Sequence, residues 1–477
     1  MFVSRLTKKI GPKPVRVILQ YFNVGNEQRI LNVIHRVLSL PEQEAVHQLE
    51  RVMQDFSFRH LNFKRKLIEN YEQIEKYIKE DISSERKLLL GAYFSKEYSI
   101  EAASLFNPSI VSHPDQSFLK SGVLRFIMSL RATGEGHISS LEFRSGIIDE
   151  NCEIYFDETS RFCELPVVNE EKIIGKDLLT KIIHSKNDVE KNIFSKLPQS
   201  FTYKQVKKIL NEELKACRDE NIKMFIEKIL NLSEANYEIT FNESTAVSER
   251  IIFPYSKNEV VGMEDARFVK FTDDDGSVTY YATYTADNGR TFGTQLIETK
   301  DFLNFSICTL HGNAIQDKGM ALFPRKVNGK YVLSSRQGGE NLQIMFSDDL
   351  HRWDEYKQHR VPVEPWEFIQ LGNCGSPIET KEGWLLLTHA VGPFRKYSLS
   401  AILLDLNDPS RIIGRLKSPL IEPLENEREG YVPNVVYSCG SIVHNDELII
   451  PYAMSDSYSG FAKIFLPGLL AELTEKN

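Results

Sequence analysis

No Cys-x-x-Cys pair occurs in this chain. Its six cysteines, Cys152, Cys163, Cys217, Cys308, Cys374 and Cys439, are scattered. That argues against a zinc site and against a disulfide framework, and it fits a reducing compartment. Basic charge is not in excess either. Lys and Arg number 58 against 66 Asp and Glu, a formal net charge of −8, so nothing draws the chain as a whole to nucleic acid or to an anionic membrane. No apolar run approaches the length of a bilayer span. No apolar segment follows the charges of Met1-Phe2-Val3-Ser4-Arg5-Leu6-Thr7-Lys8-Lys9, so the reading expects no secretory signal and a cytoplasmic protein. The 477 residues are 42% hydrophobic and 26% charged. This is ordinary for a globular protein, and the length suits roughly two or three domains.

Residues 1 to about 100 show no strand alternation. Ile30, Leu31, Val33, Ile34 and Val37 recur at helical spacing, as do Val46, Leu49, Val52 and Met53 beyond Pro41, then Leu61 to Ile78. The spacing predicts an N-terminal segment of three or four helices. From about residue 105 the pattern turns to strands, with Leu124–Arg131 and Ile138–Phe143 on either side of a polar loop, Thr133-Gly134-Glu135-Gly136-His137. Helical spacing returns over about 168–233 and reads as an insertion into a β domain that runs from 101 to 477.

Beyond residue 261 the strands follow a repeating order. Gly276, Gly329 and Gly383 each precede an apolar strand, and Asp446 precedes a fourth. A companion turn recurs at Lys300-Asp301-Phe302 and at Asp348-Asp349-Leu350. A period near 50 residues with about four strands per unit is the signature of a β-propeller. With the strands at 124–143 as the first unit there are five blades. The expected fold is therefore mainly β, a five-bladed β-propeller with an N-terminal α-helical segment and an α-helical insertion. A β-sandwich predicts shorter and less regular spacing.

Within the repeat, Gly262-Met263-Glu264-Asp265-Ala266-Arg267 leads into an apolar strand. Adjacent side chains on a strand face opposite ways, so one carboxylate can face a cavity while the other pairs with a cation. A carboxylic acid held in that way suits general acid work on a glycosidic oxygen. Propeller geometry brings equivalent positions of successive blades to one pocket. Those positions hold Arg131, Asp265, Tyr284, Lys318, Arg336, Glu340, His389 and Asp456. Desolvating such a ring without pairing is costly, which makes a functional pocket for a polyhydroxylated ligand the stronger reading. The plainer readings are core placement for Tyr284 and His389, a structural partnership for Arg267, and a flexible turn for Glu135-Gly136-His137.

Several ordered motifs sharpen this. Gly262–Arg267 resembles the G-x-E-D-P-R signature of glycoside hydrolase family 130, five-bladed propellers acting on β-mannosides. Thr283-Tyr284-Thr285-Ala286, Lys318-Gly319-Met320-Ala321-Leu322-Phe323-Pro324, Gly383–His389 and Glu427-Arg428-Glu429-Gly430-Tyr431-Val432-Pro433-Asn434-Val435-Val436 resemble further family segments in the same order. Asp456, in Tyr452-Ala453-Met454-Ser455-Asp456, resembles a sugar-binding position. The resemblance covers about 105–150 and 255–470. It implies an inverting mechanism with Asp265 as general acid, its proton passing through a mannose hydroxyl, with Glu264, Arg131, Tyr284, Lys318, Arg336, His389 and Asp456 as substrate contacts. No metal or organic cofactor is implied.

The family's nucleophile is phosphate or water. Arg131 and Lys318 match phosphate-binding cations. The family histidine ahead of Arg336 is replaced by Ser335, and a further arginine falls at Gly293, three residues from Arg290. Glu340, beside Arg336, would repel phosphate and deprotonate water. These departures favour an inverting β-mannosidase acting on β-1,2- or β-1,4-linked oligosaccharides, with Glu340 as base and Glu427 and Glu429 as rivals for that role. The alternatives are a β-mannoside phosphorylase using inorganic phosphate as co-substrate and a non-catalytic carbohydrate-binding propeller. The expected partner is an oligosaccharide, with no nucleic acid and no membrane, and the added helices offer a surface for a homo-oligomer.

Overall fold

A computed structural model of the chain describes residues 3–475. Antiparallel sheet in consecutive groups forms its frame. The first group holds the strands Ser104–Ser112, Leu124–Thr133, Ser139–Ile148 and Ile154–Phe156. The second holds Gly262–Thr272, Val278–Asp287, Phe292–Thr299 and Asn304–Thr309. A parallel bridge between Gly262 and Ser139 joins these two into one sheet. The third group runs from Ala321 to Arg360 and the fourth from Gln370 to Arg415. In the last group the chain's first described strand, Val3–Arg5, lies antiparallel on Tyr458–Phe465 and completes the sheet built on Glu447–Met454.

Apolar clusters fill the gaps between successive groups. Leu141 and Phe143 of the first pack with Phe268 and Ile297 of the second. Phe271 and Leu296 pack with Leu333 and Met345 of the third. Val332 and Ile344 meet Leu386 and Ile402 of the fourth. Leu387 and Leu399 meet Ile450 and Ala462 of the last. Ile449 and Phe461 of the last then meet Phe126 and Met128 of the first. Strands inside a group bury both faces, so apolar residues run nearly unbroken there, as in Trp384-Leu385-Leu386-Leu387, whereas edge strands such as Tyr356–Arg360 are largely exposed.

The repeat landmarks fall on hairpin turns. Gly276 (φ +82°) and Gly329 (φ +77°) occupy the left-handed region, where a side chain is strained. Asn445 (φ +45°) and Asp446 (φ +62°) do the same in the last group, and Asn and Asp are the side chains that best tolerate it.

Residues 1–100 are not purely helical. The helices α1 (Glu27–Leu38), α2 (Glu42–Phe56), α3 (Phe63–Glu72) and α4 (Ser84–Tyr93) share an apolar core. Val17–Tyr21 and Ser95–Ser99 flank them as an antiparallel pair. The five-residue run Val17-Ile18-Leu19-Gln20-Tyr21 is too short for period-2 alternation to show against the surrounding helical pattern. Behind it, Arg16 is fully buried and pairs with Glu101 at 2.6 Å and Glu142 at 2.9 Å, while Arg144 pairs with the same two carboxylates. This network ties the N-terminal segment to the first sheet.

The insertion contains α5 (Lys176–Ile182), α6 (Asp188–Ser195), α7 (Tyr203–Ala216) and α8 (Glu220–Glu234) around their own core. Thr202 and Gln205 form a capping box at the start of α7, and Asp219 caps α8. The insertion leaves and rejoins the outer edge of the second group: Tyr237–Thr240 pairs with Asn304–Thr309 on one side and with Val167–Val168 on the other. A ninth helix, α9 (Leu466–Thr474), packs on the last two groups.

Candidate active site

The strand Gly262–Thr272 loses register with its neighbour between Glu264 and Arg267. Asp265 sits in that irregularity with φ +55°, a left-handed conformation that Asp accepts more readily than most residues. Both acidic side chains thereby reach the same arginine, Arg131, instead of pointing to the opposite faces that strict alternation predicts. Arg131 binds both, at 2.7 Å to Glu264 and 3.4 Å to Asp265. Its Nε donates to the Ser139 hydroxyl at 2.9 Å, and its guanidinium lies over the Phe106 ring. Lys318 reaches the other oxygen of Glu264 at 3.2 Å, with its ammonium 3.8 Å from the centre of the Phe292 ring. The side chains of Glu264, Asp265, Arg131 and Lys318 are 13%, 18%, 19% and 30% exposed. A ligand can therefore reach groups that are otherwise well desolvated.

Asn107 was not singled out from the sequence. Its Nδ2 donates to Asp265 Oδ1 at 2.7 Å. It also has φ +48° and lies where Ser104–Ser112 slips register against its neighbour. The available signal was Pro108 inside a strand, which marks a bulge. Burial raises the Asp265 carboxyl, but Arg131, Arg267 and the Asn107 hydrogen bond outweigh it, and the net effect holds it below the usual range. Asp456 is the counterpart. Burial, then the charge of Asp265, push its carboxyl up to about 7 against the pull of Arg131 and Arg395. The two carboxyls thus differ in protonation at neutral pH. Ser455 and Asp456 make their tight turn at φ +47° and +50°.

A second arm starts from Arg267, which is buried. It donates to the carbonyls of Cys374 (2.6 Å) and Asp265 (3.0 Å) and to the Tyr437 hydroxyl (2.6 Å). It supports the site through neutral oxygens, not through a carboxylate as expected. The Tyr437 ring meets His389 edge to face at 4.8 Å, and Tyr397 stacks on the same imidazole at 6.1 Å. His389 Nδ1–H donates to the Asn373 carbonyl at 3.0 Å, and Nε2 accepts from Arg336 Nη1 at 3.1 Å. Burial first, then Arg336 and Arg267, hold this imidazole well below its usual pKa. It is a neutral acceptor that aims Arg336. Arg336 Nε is buried without a partner among the described residues.

Two expected site residues are placed differently from the acidic pair. Tyr284 is 1% exposed, and its hydroxyl donates to Glu259, which also accepts from Tyr237. It belongs to the wall behind the site, because that carboxylate already holds its only polar atom. Glu340 follows the short turn Gln337–Gly339 and is exposed. It takes no part in the ion pairs around Glu264 and Asp265. Of its rivals, Glu427 is buried and holds Tyr452 and Arg5, and Glu429 is exposed. Arg290 lies on an exposed loop, and Ser335 is fully buried with an unpartnered hydroxyl. At the rim, His137 Nδ1 and the Tyr431 hydroxyl meet at 2.9 Å. That contact joins the loop after Thr133 to the one ahead of the last group, so Glu135-Gly136-His137 is more than a free turn. Among the described residues no group of three or more His, Cys, Asp and Glu is placed to hold a metal ion. No helix among them is long and apolar enough to cross a membrane.

Paired carboxylates set among fixed cations and left partly exposed are what a glycoside-processing enzyme of the hydrolase or phosphorylase type needs. The chain belongs to glycoside hydrolase family 130: the family model, described as beta-1,4-mannooligosaccharide phosphorylase, matches residues 219–475. That range excludes Arg131 and the first sheet group. Over 214 residues the chain is 39% identical to the 1,2-beta-oligomannan phosphorylase of Thermoanaerobacter sp. (strain X514), covering 43% of this chain and 69% of that protein. It is 34% identical over 171 residues to the Beta-1,4-mannooligosaccharide phosphorylase of Ruminococcus albus, covering 33% of this chain and 51% of that protein. The solved structure of Beta-1,2-Mannobiose phosphorylase from Listeria innocua, in complex with beta-1,2-mannobiose, superposes with a TM-score of 0.48. The identity is 23%, over 80% of this chain and 94% of that one.

Proposed function

We propose that this protein is a β-mannoside phosphorylase, transferring a mannosyl unit from a β-linked oligosaccharide to inorganic phosphate. The observation that carries this reading is the gathering of three cations, Arg131, Lys318 and Arg336, around the acidic pair Glu264 and Asp265. Arg131 and Lys318 bracket Glu264 and Asp265, and Arg336, aimed by neutral His389, lies beyond them on the same Arg267–Tyr437 framework. Such a cluster suits a phosphate dianion. Glu340 is exposed and makes no ion pair with the cations around Glu264 and Asp265, which weighs against it as a base for water, and the named relatives are phosphorylases. The β-mannosidase reading is therefore the second one.

In this mechanism a phosphate oxygen attacks the anomeric carbon from the face opposite the leaving group. The bond from that carbon to the glycosidic oxygen breaks, and mannose 1-phosphate forms with inversion. Inverting geometry leaves roughly 6.5–9.5 Å between acid and base for the nucleophile. Phosphate is its own nucleophile and needs no protein base. Asp265 supplies the proton, relayed through a mannose hydroxyl to the departing oxygen. In the empty site that carboxyl is held low by Arg131 and Arg267. Phosphate offsets the cations' pull, burial then dominates, and the acid acquires its proton when the co-substrate is present. Glu264 and Asp456 serve as acceptors for sugar hydroxyls.

Five sheet groups of about four strands, with an apolar cluster between each successive pair and a last cluster linking the fifth to the first, support a five-bladed propeller. In that reading the strand Val3–Arg5 closes the ring, residues 1–100 form an N-terminal segment, and about 168–233 an insertion within a catalytic domain of 101–477. The deciding assay incubates the protein with β-mannosides with and without phosphate. Mannose 1-phosphate that appears only with phosphate is the expected result. Free mannose released equally well without phosphate would establish the hydrolase instead.

A further inference from the structure

Where the helical insertion rejoins the sheet, a cavity of about 330 Å³ opens between the start of α7, the end of α8 and the loop after Val168. Tyr203, Tyr237 and Tyr255 line it, together with Lys207 and Glu234. The rings of Tyr237 and Tyr255 stand 5.0 Å apart, splayed at 50°, which makes an open aromatic cleft. Tyr203 donates its hydroxyl to Glu234 at 2.8 Å, and Lys207 sits over the Tyr203 ring at 5.3 Å. Lys172, also in the lining, is already engaged by the Tyr237 carbonyl, the Ser306 hydroxyl and Glu238. Lys204 and Lys207 in the lining carry no ion pair among the described residues, but Glu170 and Glu234 line the same cavity and offset them, so it has phenol faces and polar tips without an excess of positive charge. It suits a neutral polyhydroxylated ligand over an anion.

Its position relative to the acid is defined by shared walls. Tyr255 belongs to the connection that enters the strand Gly262–Thr272. Glu259, on the same connection, accepts from both Tyr237 at the cavity and Tyr284 on the strand Val278–Asp287. The residue after Tyr284, Thr285, lies opposite Glu264 in the ladder. Three strands lie between Tyr237–Thr240 and Gly262–Thr272 in the sheet order, and the buried Tyr237–Glu259–Tyr284 hydrogen bonds form the wall between the cavity and the acidic centre.

We propose that this cavity is a second saccharide site, which holds a sugar unit remote from the one transferred when the substrate is a chain. This rests on the reading of the enzyme as active on β-mannosides and adds a preference for chain length, set by the insertion. A sugar ring seats against the open face of Tyr255, whose other side is covered by Tyr237, and its hydroxyls bond to Glu234 and Lys207.

The test is calorimetric binding without phosphate, comparing a β-linked mannose disaccharide with the hexasaccharide, on the wild type, Tyr255→Ala, Tyr255→Phe and Lys207→Ala. Tyr255 is 44% exposed and Lys207 lies on the surface, so neither change threatens the core. The hexasaccharide should bind at least about fivefold more tightly than the disaccharide to the wild type, the size of one aromatic contact. That gain should vanish in Tyr255→Ala, shrink in Lys207→Ala and survive in Tyr255→Phe, with disaccharide affinity unchanged throughout. A wild type that binds both lengths equally, or a gain that persists in Tyr255→Ala, overturns the proposal. Chain-length preference without phosphate-dependent turnover would keep the site and sink the phosphorylase reading. Phosphorolysis without the preference would do the reverse.

Discussion

Replacing Asp265 by Asn isolates the proton from the geometry. At φ +55° Asn is accepted nearly as well as Asp, whereas Ala would add a left-handed penalty of roughly 1–2 kcal/mol. The carbonyl of the new amide can still accept from Asn107, as Asp265 Oδ1 does at 2.7 Å. Arg131 keeps Glu264 as its nearer partner, at 2.7 Å against 3.4 Å to Asp265. The folded state therefore loses its weaker ion pair and little else, and the melting temperature should move by no more than a few degrees. Chemistry loses its acid. General acid catalysis is worth about 10²–10⁴ in rate, or about 2.7–5.4 kcal/mol at 1.36 kcal/mol per decade. Initial rates of mannose 1-phosphate formation, measured beside a thermal melt, read both effects. A variant that keeps its melt and turns over within about threefold of the wild type would refute the assignment of Asp265 as the acid.

Other expectations follow from the charges. The Asp456 carboxyl, raised to about 7 in the fold from near 3.9 when unfolded, stabilises the fold fully only below that lower value. Its contribution is lost as pH rises through about 7. Asp456→Asn should therefore gain stability on the wild type between about pH 5 and pH 8, and it should blunt the rise in KM for phosphate that ionised Asp456 causes. Parallel pH profiles for the two proteins would contradict this. Arg16→Met should cost about 3–5 kcal/mol in denaturant midpoint analysis. It strips Glu101 and Glu142 of one of their two arginines and also leaves the Ser248 carbonyl without its donor. A loss under about 1 kcal/mol would show that the network relaxes around the gap.

Part of the candidate site was legible because the motif Gly262–Arg267 and the spacing of the strand repeats are local properties of the chain. Arg131, Glu264, Asp265 and Lys318 do meet, and His389 meets Arg336. Tyr284 and Glu340 were misplaced for different reasons. Tyr284 lies on an inner strand as expected, but a carboxylate distant from it in sequence, Glu259, reaches its hydroxyl first, and no spacing rule reveals that. Glu340 follows a turn with Gly338 at φ +67° and Gly339 at φ +73°, and the turn leaves its side chain in solvent. The strand Val17–Tyr21 escaped notice because its partner, Ser95–Ser99, lies beyond four helices.

The sequence alone determined the alternation of strand and turn, the glycines and Asn-Asp at positive φ and the chemistry of each side chain, because these depend on a residue and its near neighbours. Only the tertiary structure decided which carboxyl is held below its usual range and which is raised to about 7, which imidazole is held well below its usual pKa, and that a bulge turns Glu264 and Asp265 toward the same arginine. Those outcomes are set by burial and by charges brought together from distant parts of the chain, and Coulomb interactions depend on distance in space, not on separation along the backbone.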